Sequence, residues 1–212
     1  MNKIEKRSLT PQEGLEIRAF EEDGKRFIEG YASVFNVESK LIYERGKIFH
    51  EIIERGAFDK VLADPDLNTI YNFNHDRNLI SARTINGTLE LSTDDKGLRF
   101  KAEVPDVTYA NDLYTLIKRG DLFENSFAFL VDDEGQALTR NDEGVLLRRI
   151  TEVKRLVDVS TVVFAAYEQT EVYARGIDEF VDKEKLEEDN LKTQKRDEVE
   201  KLRMKTKIKK IK

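Results

Sequence analysis

Apolar and polar positions alternate along this chain in short runs, separated by turns rich in Gly, Asn and Asp. Leu15–Phe20 and Phe27–Phe35 flank the stretch Glu21-Glu22-Asp23-Gly24-Lys25, which predicts a β-hairpin. Gly87–Ser92 and Leu98–Val104 pair in the same way across Thr93-Asp94-Asp95-Lys96-Gly97. Thr69–Phe73, Ser126–Val131, Val145–Val153 and Val157–Phe164 read as further strands. Two segments have helical spacing. Arg55–Ala63 predicts a short helix after a glycine turn, and Tyr109–Arg119 places Leu113, Leu116 and Ile117 on one face. Gly120, after Lys118 and Arg119, is a helix stop. The fold class is therefore mainly β (α+β), mostly antiparallel, with a few helices between strands. Strands and helices do not alternate regularly, which disfavours a doubly wound sheet.

The pattern ends near Gly176. Every Pro and Gly lies in residues 1–176, while the remainder is rich in Lys, Glu and Leu. Residues 178–212 hold 12 basic and 10 acidic side chains, and the last twelve residues hold seven Lys or Arg and no acid. Two regions are expected: a folded body, 1–176, and a charged tail, 177–212. The tail reads as an exposed helix with a basic end, or as disorder. Phe180, Leu186, Leu191, Val199 and Leu202 keep no steady heptad, so no coiled coil is expected.

Composition narrows the chemistry. With 212 residues the chain is expected to bury a sizeable core as one domain. It has no cysteine, which removes disulfides, thiolate metal sites and cysteine nucleophiles. Its two histidines, His50 and His75, have no zinc-ligand spacing, so neither a metal nor another cofactor is expected. There is no phosphate-binding loop or dinucleotide fingerprint. The first residues lack the apolar core of a secretory signal, and Leu156–Tyr167 is too short to cross a bilayer. An acidic body with a basic tip, at a net charge of −6, argues against a nucleic-acid reader except by the tail.

What chemistry remains centres on few residues. His75, in Tyr71-Asn72-Phe73-Asn74-His75-Asp76-Arg77, ends an apolar strand and precedes a polar, irregular stretch. His50 lies in an amphipathic run and reads as a surface or half-buried histidine. Ser126 opens the apolar strand Ser126-Phe127-Ala128-Phe129-Leu130. A serine hydroxyl needs a base to take its proton, and a histidine, with an ordinary pKa of about 6.5, is mostly neutral near pH 7. A third group must orient the imidazole. Asp76 adjoins His75, but neighbouring strand residues point to opposite faces. Asp158 interrupts a strand-forming run and so either faces solvent or has partners; Glu152 competes with it. No Gly-x-Ser-x-Gly elbow occurs.

Several of these segments, in order, resemble the prohead (capsid maturation) serine proteases of tailed bacteriophages, distant relatives of the herpesvirus assemblins. The resemblance is carried by Glu29-Gly30-Tyr31-Ala32-Ser33-Val34-Phe35-Asn36, Glu51-Ile52-Ile53-Glu54-Arg55-Gly56-Ala57-Phe58 and Asn74-His75-Asp76. It continues through Gly97-Leu98-Arg99-Phe100, Gly120-Asp121-Leu122 and Ser126-Phe127-Ala128-Phe129. It closes with Leu156-Val157-Asp158-Val159-Ser160 and Ala165-Ala166-Tyr167, covering residues 14–175. The family usually has Gly where Ala128 stands, commonly Pro at Ala165 or Ala166, and often Glu where Asp158 stands.

The resemblance implies an assemblin-like β-barrel with peripheral helices and a serine endopeptidase. His75 would be the base, Ser126 the nucleophile and Asp158 the acid. Arg83 falls on a basic position that could serve substrate or oxyanion binding. The implied substrates are the scaffold, the major capsid protein and the protease itself, inside the assembling prohead in the host cytoplasm. The portal or prohead shell and a second copy of the chain are further implied partners. The competing expectation is an inactive scaffold or core protein on the same fold.

Overall fold

The computed structural model describes residues 4–9, 16–44 and 47–163. In chain order the strands are β1 (Glu5–Leu9), β2 (Arg18–Glu22), β3 (Lys25–Val34), β4 (Ile42–Glu44), β5 (Lys47–Ile53), β6 (Ile70–Phe73) and β7 (Asp76–Arg83). They continue as β8 (Leu89–Thr93), β9 (Gly97–Glu103), β10 (Glu124–Leu130), β11 (Gln136–Arg140), β12 (Leu146–Ile150) and β13 (Arg155–Val162). Among the described residues two α-helices intervene, α1 (Asp59–Leu62) and α2 (Thr108–Arg119). None is long and apolar enough to cross a membrane.

Three sheets result among the described residues. One is ordered β1-β10-β13-β6-β7, the second β11-β12-β5-β4 and the third β2-β3-β9-β8. The pairs β13–β6 and β12–β5 are parallel, and the other pairs are antiparallel. The architecture is mainly β with few helices, as the alternation predicts. The barrel implied by the resemblance is not what the described residues form: all three sheets are open, and β1 and β7 are the edges of the largest. Closing that sheet would need hydrogen bonds between its two edge strands. β7 instead slips register against β6 at Tyr71/Asn72 and at Asn72/Phe73, and such bulged edges end a sheet.

Local sequence explains most elements. Asp23 (φ +50°) and Gly24 (φ +74°) form a two-residue turn that joins β2 to β3, so the hairpin is tighter than the five-residue turn expected. Helix α2 buries Ala110, Leu113, Tyr114 and Ile117, a single i, i+3, i+4, i+7 stripe, and ends at Gly120 with φ +84°. Arg55–Ala63 is helical only at Asp59–Leu62, with a turn before it. β1, β7 and β11 were not legible because their sequences, EKRSL, DRNLISAR and QALTR, are polar and weakly patterned. The expected tail, 177–212, and the Ala165-Ala166-Tyr167 segment lie outside the described residues.

Strand β10 lies inside the largest sheet, between β1 and β13, and alternation splits it cleanly. Phe127 and Phe129 join the apolar core with Tyr71, Phe100, Leu156 and Val159. The Phe127 and Phe129 rings stack at 4.8 Å, and Phe58 meets Phe127 edge-on at 5.8 Å. Ser126 and Ala128 therefore point to the opposite face. Their register partners on β13, Ser160 and Asp158, share that face.

Candidate active site

The sheet register assembles the site. Across one row run Ser8, Ser126, Ser160 and Asn72, from β1, β10, β13 and β6. The next row holds Lys6, Ala128, Asp158, Ile70 and Arg83, ending on β7. His75 joins the two rows from above. It sits in the turn between β6 and β7, where Asn74 has φ +52° and His75 φ +57° and where Phe73 pairs with Asp76. Two consecutive left-handed residues make a type I′ hairpin turn, a conformation that Asn and His accept more readily than most residues. Left-handed non-glycine backbone costs on the order of 1–3 kcal/mol per residue and persists only where the surroundings hold it. Here β13 and the residue after it hold the turn. Asn74 N–H donates to the Thr161 carbonyl at 2.9 Å, His75 N–H donates to Ser160 Oγ at 2.9 Å, and Val163 N–H donates to Asn74 Oδ1 at 3.1 Å.

From that turn the imidazole reaches two partners. His75 Nδ1 lies 2.6 Å from Asp158 Oδ1, and His75 Nε2 lies 2.7 Å from Ser126 Oγ. The side chains of His75 and Asp158 are 7% and 5% exposed, so water competes little for either contact. The tautomer with its proton on Nδ1 satisfies both: Nδ1–H donates to the carboxylate, and the Nε2 lone pair faces the hydroxyl. Ser126 Oγ has a second acceptor within reach, the Arg7 carbonyl of β1 at 2.9 Å, and has no exposed surface. One hydroxyl proton thus faces two acceptors.

The remaining candidates fall elsewhere. Arg83 is half-buried and stands in the Asp158 row, two strands away across β6. Glu152 binds Lys60 Nζ at 2.7 Å in the loop between β12 and β13. Asp76 accepts hydrogen bonds from the Asn78 backbone and side-chain nitrogens, which closes its own turn. His50 Nδ1 contacts the Ser39 carbonyl at 2.7 Å, the half-buried position expected of it.

Sequence reasoning missed β1 and the charges that anchor it. Arg148, buried on β12, is paired with Glu5 and donates from Nη1 to Glu51 at 2.9 Å and from Nε to Gln136 at 2.6 Å. Arg7 Nε donates to the other Glu51 oxygen at 2.6 Å. Burial pushes the Glu51 carboxyl up, but the Arg7 and Arg148 guanidiniums outweigh it and hold the group below its ordinary range. No local motif marks Glu5, Arg7, Glu51 and Arg148, because these four charges meet only through strand pairing across the fold. Ser160 was legible in principle: it stands two residues after Asp158, the spacing that puts both on one face of a strand.

A family model described as caudovirus prohead serine protease matches residues 13–183. The solved structure of the bacteriophage T4 capsid assembly protease, gp21, aligns at 16% identity over 76% of this chain and 98% of its own, with a TM-score of 0.49. No curated protein matches the chain.

Proposed function

This chain belongs to the caudovirus prohead serine protease family, and on that premise we propose that His75, Ser126 and Asp158 are the working groups of its peptidase site. The observation that carries the reading is the imidazole bridge, 2.7 Å to the hydroxyl and 2.6 Å to the carboxylate. Ser126 Oγ attacks a peptide carbonyl as its proton passes to His75 Nε2. Asp158, hydrogen-bonded to Nδ1–H, keeps the tautomer and stabilises the imidazolium formed. The intermediate collapses as Nε2 returns that proton to the leaving amine. A water then repeats the sequence on the acyl-serine, releasing the new carboxylate. Attack needs the Ser126 proton aimed at Nε2 and a substrate carbonyl beside Oγ, so the Arg7 carbonyl must give way first.

The substrates in this reading are the scaffold and the major capsid protein of the assembling prohead, together with the chain itself. Arg83 is assigned to substrate or oxyanion contact, since it shares the Asp158 row on the same face. Intact mass tests the proposal. Wild type and Ser126→Ala are each co-expressed with the major capsid protein, and all products are weighed. Shortened capsid protein or self-truncated enzyme with wild type alone is the expected result. Identical cuts with both remove Ser126 from its role, and no cuts with either, in assembled proheads, favour an inactive core protein.

A further inference from the structure

We propose that Ser160 is the positioning residue of this site, acting on the main chain of His75 rather than on substrate; the proposal rests on the peptidase reading above. Ser160 is fully buried, and its Oγ accepts the His75 N–H at 2.9 Å. The same hydroxyl has two carbonyls to donate to, Asn72 at 3.2 Å and Thr161 at 3.3 Å. Asn72 belongs to β6, the strand that leads into the His75 turn. One hydroxyl therefore ties the strand that enters the turn, the base itself and the acid's own strand into a single arrangement. A side chain here must be a donor and an acceptor at once, and it must fit between Ser126 and Asn72 in their row. Serine meets each condition.

The consequence is geometric. His75 has a left-handed backbone, so its imidazole direction depends on how firmly the turn is held. Ser160 and Asp158 grip it at two points, N–H and Nδ1, from alternate positions of one strand. Without the Oγ acceptor, the His75 N–H loses its partner, the turn relaxes, and Nε2 drifts from Ser126. Small displacements of this kind act on the reaction step more than on substrate binding.

The test reads His75 directly and cleavage separately. The chain has two histidines, so imidazole nitrogen NMR resolves His75 once His50→Gln assigns the other. In the Ser126→Ala background, Ser160→Ala is expected to move and broaden the His75 Nδ1–H signal, while Ser160→Thr restores its position and width. In the otherwise wild-type chain, Ser160→Ala is expected to lower kcat about 10–100-fold with KM nearly unchanged, and Ser160→Thr to recover most of the rate. If the alanine variant does not fold, Ser160→Cys keeps the volume with a far weaker acceptor and carries the same comparison. An unchanged His75 spectrum in a folded variant overturns the proposal, whether or not the rate falls. A His75 spectrum that responds to Ser160 in a chain that cleaves nothing upholds the positioning and removes the peptidase reading instead.

Discussion

Asp158 and Ser160 stand two residues apart on the same face of β13, and both bind His75, one at the imidazole Nδ1 and the other at the backbone N–H. The strand opposite, β10, presents Ser126 directly across from Ser160. Three groups from segments more than 30 positions apart in the chain are thus brought to hydrogen-bond distance by two neighbouring strands and one turn. Sheets suit this task, because register sets the separation of side chains and pleating sets which face they share.

Replacing Asp158 with Asn should separate charge from shape. The amide is nearly isosteric, so the thermal midpoint should move little, but it no longer stabilises an imidazolium and it favours the wrong tautomer. The expected loss in kcat is about 10⁴-fold by analogy with other serine triads. Turnover of a peptide spanning a mapped cleavage site measures it. A fall of less than about tenfold would make Asp158 a bystander.

Acid should loosen the anchor of β1. Glu51 is buried between Arg7 and Arg148 and has its folded-state pKa held down, so it favours the native state wherever it is ionised. That contribution is complete above the unfolded value of about 4.3 and is lost as pH falls through the lower folded value. Denaturant unfolding from pH 7 to pH 3 should show stability falling in the acid range. Glu51→Gln should start about 3–5 kcal/mol lower at pH 7, since it leaves buried cations underpaired, and should show a shallower acid slope. Parallel pH curves for the two proteins would contradict this assignment.

Gly97 opens β9 opposite Val34, one pair beyond the register shift between Tyr31 and Ser33 of β3. A Cβ placed there would lie 1.9 Å from the Ser33 carbonyl oxygen, a backbone atom that cannot swing aside. Gly97→Ala should therefore destabilise the chain by about 1–3 kcal/mol through overpacking. Chemical denaturation reads the effect, and Gly87→Ala is no control because its φ is +73°. A folded, equally stable Gly97→Ala protein would mean that the β3–β9 bulge is not as described.

Much of this molecule was legible as text. Strand alternation around Phe127 and Phe129, the Asp23-Gly24 hairpin, the α2 stripe and its Gly120 stop all express local rules of side-chain period and backbone freedom, which a single sequence carries openly. His75, Ser126 and Asp158 were each visible as a residue out of keeping with its surroundings. What made them candidates was chemistry and a family resemblance. Whether they meet was not written locally.

The tertiary structure alone decided the rest. Parallel pairing of β13 with β6 carries the Asn74-His75 turn over Asp158, and no feature of either strand announces that the two are neighbours. The left-handed backbone of His75 is affordable only because Thr161, Ser160 and Val163 hold the turn from the other strand's end. Polar β1 becomes a strand because its charges find Glu51 and Arg148 across the fold. Each case is a contact between residues far apart in the chain, so its energy appears only once register is set. Sequence determined which side chains could do the chemistry; strand order and register decided which of them touch.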